Sequence, residues 1–190
     1  MRTEKMKKII LILLILSGCW FVGQSLYIHA KALLAQQLLE RAWKNIQSGQ
    51  AQSKPWPWAD TWPVARLQVP EQDIDLVVLA GDNGRTLAFG PGYNFASAMP
   101  GQPGNSLISA HRDTHFEFLQ HLNKGDIILL ETADKKRHQF RVESSRITRN
   151  KDVFFPANEQ NAYLQLVTCY PFNALENGGD ERYIVSAVQF

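Results

Sequence analysis

The chain has 190 residues, of which 45% are hydrophobic and 20% charged, and its formal net charge is +2. That length admits one compact domain plus an appendage. Residues 1–60 hold 8 Lys and Arg against 3 Asp and Glu, which leaves 12 against 15, or −3, for residues 61–190; with no basic stripe interleaved with aromatics, nucleic-acid binding is excluded.

Residues 9–28 run IILILLILSGCWFVGQSLYI without a charge. A helix crossing a bilayer needs about 20 mainly apolar residues. Arg2, Lys5, Lys7 and Lys8 lie ahead of the run, with only Glu4 opposing them. The positive-inside bias keeps such an N-terminus in the cytoplasm and exports the rest of the chain. The expected organisation is a cytoplasmic tip and single-pass signal anchor over 1–28, a helical stalk and Pro/Trp linker over 29–63, and a folded domain over 64–190. Two other readings of the apolar run stay open. It could be a cleaved secretory signal, although no A-x-A-like site comes after it. Leu16-Ser17-Gly18-Cys19 also resembles a lipobox with Cys19 as the lipidated residue, although Trp20-Phe21-Val22 prolong the apolar run where lipoproteins turn polar. The spanning helix and the lipobox both hold residues 30–190 at a membrane, outside the cytoplasm.

His29 to about Gln47 is rich in Ala, Leu, Gln, Glu and Lys, which favour helix. Leu33, Leu34, Leu38, Leu39 and Ala42 give it an apolar stripe. Residues 48–63, SGQAQSKPWPWADTWP, resist helix and strand. Trp56, Trp58 and Trp62 in that linker suit either packing on the domain or the membrane interface.

From Val64 the pattern is β. Ala65–Val69 alternates, Ile74–Leu79 ends at Gly81, and Ser106–Ala110 is a short apolar run ending at His111. Phe116–Leu122 suits one or two helical turns. Asp126–Thr132 and Gln139–Glu143 form a strand pair about a charged turn, and Tyr163–Thr168 and Arg182–Gln189 are the last two strands. Short strands punctuated by Gly, Pro, Asn and Asp point to a sandwich or small barrel.

Chemistry concentrates at three strand ends. Cys169 closes Leu166-Val167-Thr168-Cys169, His111 comes after Ser109-Ala110, and Arg182 opens Tyr183–Val188. The chain has two cysteines and Cys19 lies in the apolar run, so Cys169 has no partner in the exported domain. An unpaired thiol in an oxidising compartment is a candidate reactive group, although a free Cys is also often a buried, inert one. A thiol nucleophile, an imidazole that moves protons and a guanidinium for an oxyanion are what acyl transfer through a thioester requires. Arg182 read blandly is a surface cation paired with Asp180 or Glu181. His111 and His115 stand at i and i+4 around Asp113, a possible metal pair, with zinc and Cys169 as the conceivable set. The pair lacks the Glu of H-E-x-x-H, and the strand before it argues against one continuous helix. His115 reads better as packing or support, and no metal or other cofactor is expected. No dense acidic cluster stands out, so no calcium dependence is expected either.

Residues 65–190 resemble a sortase, a membrane-anchored cysteine transpeptidase. The resemblance rests on Gln165-Leu166-Val167-Thr168-Cys169 against the family's T-L-x-T-C, with Gln165 departing at its first position. It rests also on His111-Arg112-Asp113-Thr114-His115-Phe116, on Phe118-Leu119 and Lys124-Gly125-Asp126, and on the order His, Cys, Arg. Papain-like and cell-wall-hydrolase cysteine peptidases place Cys before His. The anchor, the Ala/Gln/Leu stalk and the end of the chain after its last strand are most similar to the Gram-negative class. The resemblance implies a closed β-barrel of about eight strands with short helices, after an N-terminal transmembrane helix. It implies Cys169 as nucleophile, His111 as general acid and base, and Arg182 for the substrate and oxyanion, with Thr168, Val167 and Ala110 as substrate or oxyanion support. The substrate would be a protein with a Leu-Pro-x-Thr-Gly-like signal, cut between Thr and Gly, and an amine would accept the acyl group. The enzyme would then sit in the inner membrane with its catalytic domain on the periplasmic side. The alternative from another class is a non-enzymatic, membrane-tethered β-domain with an inert Cys169.

Overall fold

A computed structural model describes residues 2–149, 161–174 and 179–190. The chain opens with one continuous helix, α1 (Arg2–Gln47), which contains Cys19 and joins the apolar run to the predicted stalk. Its apolar stretch is long and hydrophobic enough to cross a membrane, and none of it is buried within the protein. Contacts divide the chain into two compact units, Met1–Gln37 and Leu38–Phe190. The last turns of α1 therefore belong to the second unit, where Leu39, Ala42, Trp43 and Ile46 are buried. In the linker Trp56 packs edge-on against Phe89 with ring centroids 4.9 Å apart, whereas Trp58 is exposed.

Eight strands make up the rest: β1 (Pro63–Val69), β2 (Ile74–Ala80), β3 (Gly92–Tyr93), β4 (Gly104–Ser109), β5 (Ile127–Thr132), β6 (Arg137–Arg149), β7 (Ala162–Cys169) and β8 (Glu181–Gln189). They close into a barrel in the order β1-β2-β3-β4-β7-β8-β6-β5, with β1 paired to β5. The predicted eight-stranded closed barrel is thus the fold. Among the described residues its short helical pieces are α2 (Gly84–Leu87) and two 3-10 turns, Pro70–Gln72 and Glu117–His121. Among the described residues β2·β3 and β4·β7 are the parallel pairs.

Alternation drives closure. In β1 every second residue is buried, and Ala65, Leu67 and Val69 enter the core. They meet Ile108, Ile128, Leu130, Leu164, Leu166, Val185 and Ala187 there. On β4, β7 and β8 the outward face is also covered, and Leu107, Val167 and Ile184 form a separate buried cluster on it. Strands buried on both faces read as continuous apolar runs rather than alternating ones.

Candidate active site

The register of β7 and β8 places Cys169 directly opposite Arg182. β4 runs parallel to β7 with Ser109 beside Val167, and the Ala110 amide donates to the Val167 carbonyl at 3.2 Å. Two residues beyond that level on each chain come His111 and Cys169. Three strand ends adjacent in the sheet thus carry the three groups. Side chains alternate across a sheet, so Cys169 and Arg182 share the outer face with Val167 and Ile184, whose side chains are buried there. His111 is exposed, and Cys169 and Arg182 are half-buried. Cys169 is a free thiol.

Thr168 and Ala110 lock this rim. The Thr168 hydroxyl donates to the Ala110 carbonyl at 2.7 Å, and Thr168 is buried. The Ala110 methyl joins the core, so what Ala110 brings to the rim is its backbone. Such a bond between neighbouring strand ends fixes the path into His111 relative to Cys169. Val167 lies on the outer face, below the thiol.

Arg182 donates from Nη1 to the carbonyl oxygens of Gly179 at 2.6 Å and Glu181 at 2.9 Å. The bland expectation of an ion pair with a neighbouring carboxylate gives way to backbone acceptors here. Two carbonyls take one nitrogen, and a guanidinium carries five N–H donors in a planar fork. Nε and Nη2 can therefore address a bound oxygen.

His115 is half-buried, and the Thr114 hydroxyl lies 3.4 Å from its Nδ1. Burial lowers the pKa of its imidazole below the ordinary 6.5, and the charge of His111 adds to the shift. Among the described residues no three His, Cys, Asp or Glu side chains gather as a metal-ligand set.

Two features escaped sequence reasoning. Tyr170, Phe172 and Tyr183 form an aromatic cluster where the chain leaves Cys169; Phe172 and Tyr183 pack edge-on at 5.2 Å, and Tyr170 stacks on Tyr183 at 6.3 Å. The only signal was aromatic residues flanking the thiol and the Arg. The second feature is Arg112, buried to 4% exposure beside His111. An Arg in a polar loop reads as a solvated charge, so no sequence signal marked it.

Residues 67–189 match the family model of the sortase domain. The chain belongs to the sortase family. It is 28% identical over 119 residues to Sortase D of Bacillus subtilis, covering 63% of this chain and 60% of that one. This sortase-family chain thus spans less than two thirds of that relative. Among solved structures, a Clostridium perfringens sortase D5 transpeptidase superposes with a TM-score of 0.64 at 22% identity, covering 83% of this chain and 98% of that one. A Clostridium perfringens sortase C with the C-terminal cell wall sorting motif gives 0.62 at 19% identity, covering 85% and 90%. At those identities the likeness is one of fold.

Proposed function

We propose that this sortase-family chain is a cysteine transpeptidase that cleaves a Leu-Pro-x-Thr-Gly-like signal between Thr and Gly and passes the acyl group to an amine. The observation that carries the reading is the register that sets Cys169 opposite Arg182, with His111 at the end of the strand alongside. The Cys169 thiol gives its proton to His111, and Sγ attacks the Thr carbonyl carbon. An S–C bond forms, and Arg182 faces the oxyanion through Nε and Nη2. The C–N bond then breaks, and His111 returns the proton to the departing Gly amine, leaving a thioester on Cys169. An incoming amine loses a proton to His111 and attacks the thioester carbon. A C–N bond forms, the S–C bond breaks, and the thiol is restored. Water in place of the amine would give hydrolysis, and the chain would then act as a cysteine peptidase.

The sorting motif in the Clostridium perfringens sortase C structure supports the substrate class. The same reading places α1 in the inner membrane as a single-pass anchor with the barrel outside the cytoplasm, and the stalk composition supports the Gram-negative class. The test is mass spectrometry of the full chain in detergent with a Leu-Pro-x-Thr-Gly peptide. The wild type should gain the mass of the peptide without its Gly segment, and Cys169→Ala should gain nothing while melting as the wild type does. An adduct that survives in Cys169→Ala would sink the assignment. A wild type with no adduct and a slowly alkylated Cys169 would favour a tethered binding domain.

A further inference from the structure

We infer that Arg112 is a positioning residue that clamps the segment after Cys169 to the strand end that carries His111. Arg112 comes directly after His111, and its side chain is 4% exposed. Its Nη2 donates to the Ala174 carbonyl at 3.0 Å. Its Nε lies 3.6 Å from a carboxylate oxygen of the exposed Asp113. Ala174 stands five positions after Cys169, next to the chain that the aromatic cluster anchors through Phe172. One guanidinium thus joins the His111 loop to the far side of the thiol, 62 residues away in sequence.

A buried charge is costly unless its hydrogen bonds are made. Any displacement of residues 171–174 that removes the Ala174 carbonyl costs the buried guanidinium that bond. The cost falls on the displaced arrangement, so Arg112 favours one placement of this segment. The Ala174 acceptor is a backbone carbonyl, so this bond fixes where the chain runs rather than which side chain it bears. The segment is part of the link between Cys169 and Arg182, and its Tyr170 amide already donates to the Glu181 carbonyl at 3.0 Å, beside Arg182. Lys in place of Arg keeps the charge but loses the planar fork.

The structural part of this inference stands on geometry alone, and its catalytic consequence rests on the proposed transpeptidase reading. Hydrogen exchange of the full chain in detergent tests the first part. In Arg112→Met and Arg112→Lys the amides of Tyr170 and Ala174 should exchange at least about tenfold faster, since bonds from charged donors are among the stronger ones. Amides inside β7 and β8, such as Leu164 and Val185, should keep their rates. Unchanged exchange at Tyr170 and Ala174 would overturn the clamp, as would an equal acceleration throughout the barrel, which marks a general loss of stability. Arg112→Lys gives the reading if Arg112→Met fails to fold. Adduct formation with the Leu-Pro-x-Thr-Gly peptide tests the second part. It should slow at least about tenfold in Arg112→Lys at temperatures well below melting, while alkylation of Cys169 by iodoacetamide stays near the wild-type rate. Wild-type adduct rates in a variant with a loosened segment would remove Arg112 from any role in the site. A wild type that forms no adduct would refute the transpeptidase reading and leave the exchange result to judge the clamp.

Discussion

Arg182 is the residue whose two readings differ most in what they predict. As a surface cation it would contribute about 0–1 kcal/mol. As an oxyanion donor its removal typically costs roughly 10²–10³ in rate. Its Nη1 is held by the Gly179 and Glu181 carbonyls, which orients the fork before substrate arrives. As that donor, Arg182→Ala should lose at least about a hundredfold in turnover, mainly in kcat if the contact tightens in the transition state. Arg182→Lys should keep part of the activity. Steady-state kinetics beside melting curves decide the matter, and an Arg182→Ala variant with wild-type kcat would take the residue out of the site. His115 makes a different prediction, about stability. Its folded pKa is depressed, by burial first and by His111 second. The unfolded chain then binds the proton more readily than the folded one. That stabilising contribution is present above the ordinary value of 6.5 and is lost as pH falls through the lower folded value. His115→Gln should flatten the acid limb of the melting temperature against pH. A variant whose acid limb is as steep as the wild type's would refute the depressed pKa of His115. The residue types and order of His111, Cys169 and Arg182 were legible in the sequence, because thiol, imidazole and guanidinium at strand ends are uncommon. Their adjacency was not, since 58 residues separate His111 from Cys169 and only the parallel pairing of β4 with β7 brings their strands together.

At the scale of the elements, β3 shows why one strand escaped the sequence. It holds two residues, Gly92 and Tyr93, too few to display a period. Its pairing depends on close approach instead. A Cβ at Gly92 would run into the Gly81 carbonyl oxygen and lie 2.9 Å from the Asp82 Cα. In the same crossing the Gly81 amide donates to the Tyr93 carbonyl at 2.9 Å. Gly92→Ala should therefore cost about 1–3 kcal/mol, the usual range for overpacking. Denaturant unfolding measures it, and an unchanged midpoint would show that the crossing can widen without loss. β6 extends to Arg149, beyond the predicted Gln139–Glu143, for a related reason. Its register shifts between Val142 and Ser144, and Ser144–Ile147 are exposed. With no alternation and Ile147 as its one large apolar residue, that half of the strand gave no signal, and its pairing to β8 carries it. The other strands were visible because each buries one face in the core.

Over the whole molecule, the helical appendage has two different surfaces along one element. From Ile9 to Ile28 the large side chains are exposed all round, with Leu14 at 64% and Phe21 at 71%. A helix apolar on every side suits a protein core or a membrane. From Leu38 onward the same helix belongs to the barrel unit, with Leu39 and Trp43 each 1% exposed. Arg66 of β1 donates to Glu40 of α1 at 3.0 Å and to Asp75 of β2 at 2.9 Å, which ties the helix to the β1–β2 pair. The sequence showed the apolar run and the stripe, but composition alone does not say where the exposed part of a helix stops and the part facing a core begins. This division makes two fragments distinguishable. Residues 38–190 should be soluble and fold to the barrel. Residues 64–190 should fold poorly, because they lack the buried face of α1, and removal of even one large core side chain typically costs about 3–5 kcal/mol. Trp43→Ala in the 38–190 fragment should lower stability by a similar amount, read by denaturant unfolding. The full chain should sediment with membranes and resist extraction by salt and alkaline carbonate, because apolar burial holds it there rather than charge. Metabolic labelling should find no acyl chain on Cys19. Full-length protein in the soluble fraction would remove the anchor reading, acylated Cys19 would replace it with a lipid attachment, and a 64–190 fragment as stable as 38–190 would show that the barrel does not need the end of α1.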